Sequence, residues 1–162
     1  MKKILVLLVA VATMFAQNVF AQSELTAEQK KAAAKAKREE LMQTRLQLLK
    51  EELKLTDEQF LKFDPVYRKY RQEIQKVTSM NKEARIKKDL ITNENALKVV
   101  SARLANDALN TAVKQRYVYI FAEVIEPLQV MKLYRVEGKI SREANKIMKS
   151  RAAAANANAS NE

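Results

Sequence analysis

Apolar residues recur at helical spacing through most of the chain. Between Glu24 and Leu53 the first half (Lys30 to Lys37) is polar and alanine-rich, with little to bury. Such a stretch frays or folds only on a partner. The second half carries Leu41, Met42, Leu46, Leu49 and Leu53 on one face, so one long helix is predicted. Thr56 followed three residues on by Gln59 is a capping box, with Leu55 and Phe60 placed as its hydrophobic staple. Asp57 and Glu58 put negative charge where a helix dipole favours it. The first helix is therefore predicted to end near Lys54 and a second to start at Asp57.

The second helix carries Phe60, Phe63, Tyr67, Tyr70, Ile74 and Val77. Their alternating spacing of three and four is a heptad seam, as in a bundle or antiparallel hairpin. Pro65 interrupts it and predicts a bend. A basic link follows from Thr78 to Leu90. Thr92-Asn93-Glu94 resembles a new helix start, and a third helix is predicted from Asn93 to about Glu126. Leu97, Val100 and Leu104 line one face of it, and Leu109, Val113, Tyr117, Ile120 and Val124 continue the seam after a small shift. Glu126-Pro127 marks the next break. A fourth helix is predicted from Leu128 to about Lys149, and residues 150–162, rich in alanine, asparagine and serine, read as a disordered tail.

Composition narrows the class. One glycine and two prolines are too few turn residues for a strand-rich fold. The expectation is all-α with four helices. Met1-Lys2-Lys3, an apolar run from Ile4 to about Ala16 and Val19-Phe20-Ala21 read as a secretory leader cut after about Ala21. The domain is then residues 22–149, and the compartment an oxidising one in which a chain without cysteine has no disulfide staple.

The formal charge is +11, and loss of Lys2 and Lys3 with the leader takes two charges away to leave +9. Export removes nucleic acid as the partner. Anionic membrane surfaces and acidic or unfolded proteins remain, and a positive field speeds encounter with them. The fourth helix concentrates the charge, setting Lys132, Arg135, Lys139, Arg142, Lys146 and Lys149 against Glu137 and Glu143.

Without histidine or cysteine the chain has no His/Cys metal cluster and no thiol nucleophile. A lone Gly138 makes no phosphate-binding loop. No enzyme site, metal or cofactor is expected. The Tyr/Phe seam reads first as core, but a thin four-helix chain can leave one face open. An open apolar face rimmed by Lys and Arg suits a binder of loosely folded chains.

Leu55-Thr56-Asp57-Glu58-Gln59 is an LTxxQ pentapeptide, and Leu25-Thr26-Ala27-Glu28-Gln29 is a second copy, read as local capping because its staple partner is Lys30. Phe60 to Tyr70 and Pro127 to Glu137 extend a resemblance to the Spy/CpxP family of periplasmic proteins, over roughly Glu40 to Met148. Relatives often place the second LTxxQ before the closing helix, where this chain has Ile125-Glu126-Pro127-Leu128-Gln129, and zinc-handling relatives use histidines absent here. The resemblance implies bent helical hairpins in a cradle-shaped homodimer that holds unfolded proteins without ATP. It equally allows a regulator that binds the periplasmic domain of an envelope-stress sensor kinase. The cradle is expected to use Leu46, Leu49, Phe60, Phe63, Tyr67 and Tyr70 for apolar contact, with Lys62, Arg68, Lys69 and Arg71 at its rim.

Overall fold

The computed structural model describes residues 26–159; the expected leader and Leu25 lie outside them. Four helices follow in order: α1 (Ala27–Leu53), α2 (Asp57–Met80), α3 (Ala96–Ala122) and α4 (Pro127–Ala159). Among the described residues there is no strand. The chain divides into two units at Lys37/Arg38. In the first, Thr26 to Lys37 is exposed throughout, as its alanine and lysine content predicts. Its capping box is nonetheless formed: the Gln29 amide donates to Thr26 Oγ1 (3.3 Å) and Gln29 Oε1 accepts from the Thr26 amide (2.9 Å).

The second unit, from Arg38 onward, holds the core. The turn joining α1 to α2 carries two closures. At the end of α1 the Leu55 amide donates to the Lys50 carbonyl (3.0 Å) and the Lys54 amide to that of Glu51 (3.2 Å). This is a Schellman pattern, and it forces Lys54 into the left-handed region at φ 54°. At the start of α2 the Gln59 amide donates to Thr56 Oγ1, and the Gln59 side chain accepts from the Thr56 amide, both at 3.1 Å. Buried Leu55 between the closures joins the core, and half-buried Phe60 packs against it.

The start of α4 repeats this arrangement without the threonine. Gln129 Oε1 accepts from the Glu126 amide (2.9 Å), and Ile125 is buried where Leu55 is buried in the other motif. The glutamines then meet: Gln59 Nε2 donates to Gln129 Oε1 (3.2 Å), while Gln129 Nε2 reaches the Leu53 carbonyl (3.2 Å). A side chain placed to cap its own helix thus ties together the starts of α2 and α4 and the end of α1.

Two expectations need correction. Helix α3 starts at Ala96 rather than Asn93, and stops at Ala122. Residues 93–95 form a turn in which Asn95 Oδ1 accepts from the Thr92 amide (2.9 Å). The expected disordered tail is helical as far as Ala159. Alanine is the best helix former, Arg151 pairs with Glu40 (3.2 Å), and Thr44 Oγ1 meets Met148 Sδ at 4.0 Å. Helix α2 runs unbroken through Pro65 to Met80. The basic link after it holds two short 3₁₀ turns, pinned by Arg103 to the carbonyls of Ala84 (3.3 Å) and Ile86 (3.1 Å).

Replacing Thr56 by Ala is expected to cost about 1 kcal/mol in urea unfolding, whereas the same change at Thr26 leaves the cooperative transition in place, because that box caps a stretch outside the core. Lys54→Gly is expected to stabilise the protein by roughly 1 kcal/mol in the same assay by removing the left-handed penalty on a β-carbon.

Candidate functional site

The residues expected to form the cradle separate into two groups. Leu46, Leu49, Phe63, Tyr67 and Tyr70 are all buried. They are core, and in this arrangement they offer a client no surface. The reason is a cluster of rings around fully buried Phe121, whose centroid lies 5.6 Å from that of Phe63 and 5.5 Å from that of Tyr70. Tyr117 and Tyr134 approach it at 5.7 and 6.3 Å. Rings at such separations in tilted and edge-on arrangements add about 0.5–1.5 kcal/mol per pair beyond area burial. Phe121 was not part of the seam drawn from sequence; its four-residue spacing from Tyr117 was the available signal.

Polar tips of two of these rings are held by carboxylates, while the Tyr67 hydroxyl is buried without a hydrogen-bond partner. The Tyr70 hydroxyl donates to Glu137 (3.0 Å), which also pairs with Arg71 (2.9 Å). The Tyr117 hydroxyl donates to Glu73 (2.8 Å), which also holds Arg116. Of the expected basic rim, Arg71 is thus a structural partner of Glu137. Arg68 is held by Asp64 and by Glu39 (3.0 Å). Lys62 is exposed and pairs with Glu58 (2.7 Å), and Lys69 is exposed. Phe60 is half-buried, with the Lys50 ammonium 5.1 Å from its ring centre.

The exposed apolar surface lies elsewhere. Leu97 (82% exposed), Val100 (53%) and Leu104 (64%) stand open on α3. The sequence reading placed them in the seam, but the residues of α3 that turn inward are Val99, Ala102, Asn106, Tyr117 and Phe121. At helical spacing the open face continues through Ala108, Thr111, Gln115, Val118 and Ala122, all exposed and none charged. A helix with 1.5 Å rise per residue makes this stripe on the order of 40 Å long. So α3 is apolar on opposite sides, and only one side has a neighbour within the described chain.

Among the described residues, no cluster of three or more His, Cys, Asp or Glu side chains could hold a metal ion, and no helix is long and apolar enough to cross a membrane. No protein-family model matches the chain, and no match is found among the curated proteins or the solved structures.

Burial, followed by the nearby Glu137 carboxylate, raises the pKa of Tyr67, Tyr70 and Tyr134, the last to about 12. Burial and the hydrogen bond to Glu73 raise Tyr117 to about 12. In the unfolded chain tyrosine ionises near 10. The stability these groups confer is therefore complete below about pH 10 and lost as pH rises through their folded values. Urea midpoints are expected to hold level to about pH 9 and fall beyond 10, with tyrosinate absorbance from these residues rising together with loss of helix. Ionisation of all the tyrosines near pH 10 with the helices intact would contradict this packing.

Proposed function

We propose that this chain is an ATP-independent chaperone of the Gram-negative periplasm, exported by a leader cut after about Ala21 and acting as a homodimer on unfolded or stress-damaged envelope proteins. One observation carries the reading: the long, uncharged, exposed face of α3 that begins at Leu97, Val100 and Leu104. An apolar stripe opposite a helix's core face is costly to keep in water unless it meets something, and such patches mark interaction surfaces. It has no pocket geometry to demand a particular shape. That suits clients whose common property is exposed apolar side chains.

Charge supports the same reading. A surplus of Lys and Arg draws acidic and unfolded chains by long-range attraction, and apolar contact then holds them. The LTxxQ pentapeptide from Leu55 to Gln59 carries the resemblance to the Spy/CpxP family, whose chaperone members this reading follows. Client contact falls to α3 rather than to the α2 seam, of which Phe63, Tyr67 and Tyr70 are buried in the core.

Suppression of thermal aggregation, without ATP and with several unrelated clients, tests this directly. The wild-type protein is expected to suppress at near-equimolar amounts. The triple variant Leu97→Ser/Val100→Ser/Leu104→Ser should need at least tenfold more protein while keeping its helical circular dichroism, since these side chains leave no cavity when shortened. Wild-type inactivity on every client would overturn the chaperone reading. Saturable binding to a sensor-kinase periplasmic domain would then identify the protein as a regulator. If the triple variant still suppresses but sediments as a monomer, the α3 face is the self-association surface instead.

A further inference from the structure

A second surface is chemically unlike the α3 face. Helices α1 and α2 enclose a groove of about 530 Å³, within the size range of small-ligand sites. Five arginines line it: Arg38, Arg45, Arg68, Arg71 and Arg85. No carboxylate does. Asp64, Glu39 and Glu137 hold Arg68 and Arg71 from outside the lining, while among the described residues Arg38, Arg45 and Arg85 form no ion pair. The Nε of Arg45 is buried without a hydrogen-bond partner. Burial, and next the adjacent Arg71 guanidinium, lower the Arg45 pKa, and the smaller opposing pulls of Tyr67 and Glu137 do not offset them. A buried donor facing a like charge is a costly arrangement for a protein to keep unless an anion relieves it.

The rest of the lining decides which anion. Leu41, Met42 and Ile74 supply half-buried hydrocarbon between the arginines. The charged groups present are donors only. A bound peptide would bring its own backbone N–H donors into this donor-rich groove, whereas a phosphate or carboxylate brings acceptors alone and matches the planar guanidinium fork.

We propose that this groove binds an amphiphilic anion: a phosphate or carboxylate head seated among Arg38, Arg45 and Arg85, with its hydrocarbon chain along Leu41, Met42 and Ile74. The ligand class is that of a lipid or fatty-acid fragment. Its binding is independent of the α3 face, so either surface can fail without the other.

Calorimetric titration of the purified protein with dodecyl phosphate, below its micelle concentration, tests the proposal. Binding at micromolar to low-millimolar concentration is expected, with inorganic phosphate at least tenfold weaker and dodecyl maltoside, which shares the chain but not the charge, without measurable heat. Arg38→Gln/Arg85→Gln changes two exposed residues that hold no ion pair and should weaken binding at least tenfold with unchanged thermal unfolding. Arg45→Met, which replaces the buried unpaired donor with hydrocarbon, should weaken it similarly while leaving the protein as stable or more so. Co-sedimentation with phosphatidylglycerol vesicles but not phosphatidylcholine vesicles would identify the source as a membrane lipid; binding of the monomeric amphiphile with no vesicle binding would identify a free one. No heat with dodecyl phosphate, equal heat with the maltoside, full affinity in the arginine variants, or tighter binding of an acidic peptide would each overturn the proposal.

Discussion

Every helix of the second unit is held, directly or through a neighbour, by the packing of large rings around Phe121. Without disulfides, the chain has only side-chain packing to offset the conformational entropy of ordering its helices. Aromatic rings supply much area per residue and lose little rotamer freedom. Their hydroxyls would be a penalty in such a core. Glu137 and Glu73 remove it at Tyr70 and Tyr117 by accepting from their hydroxyls, and each is also paired with an arginine; the buried Tyr67 hydroxyl is left without a partner. The price of an aromatic core is therefore a set of semi-buried ion pairs at its edge, which fix the register of α2 against α3 and α4.

This core also settles what the protein has left for binding. Leu46, Leu49, Phe63, Tyr67 and Tyr70 are spent on it, so a partner must meet other surfaces. Two of these stand out by their chemistry. The outer face of α3 is uncharged along its length and apolar at Leu97, Val100, Leu104 and Val118, which favours contact without fixed geometry. The groove between α1 and α2 is concave and arginine-lined, which favours a single charged group in a defined place.

The helix ends connect these features. Leu55 closes α1 and opens α2, and Ile125 sits in the same position before α4. The Gln59–Gln129 contact then joins both starts to the Leu53 carbonyl. With so few glycines and prolines to set turns, this end of the molecule relies on side-chain amides to do what turn residues do elsewhere. The replacement of threonine by Glu126 in the second motif keeps the glutamine's bond and gives up only the reciprocal hydroxyl.

Local chemistry was legible in the sequence. The Thr56/Gln59 box, the end of α1 at Leu53 and the start of α2 at Asp57 follow from side chains within a few residues of one another. So does the all-helical class, from composition and period. The tail beyond Lys149 was misread because its polar composition masked alanine's helix propensity and the reach of Arg151 to Glu40. The faces of α3 were misassigned for a different reason. Val99 and Val100 are adjacent and both apolar, and helical period shows that each lies on an apolar stripe but not which stripe has a neighbour. Burial belongs to pairs of elements, and only the approach of α2 and α4 to one side of α3 could place Phe121 at the centre and leave Leu97, Val100 and Leu104 in water.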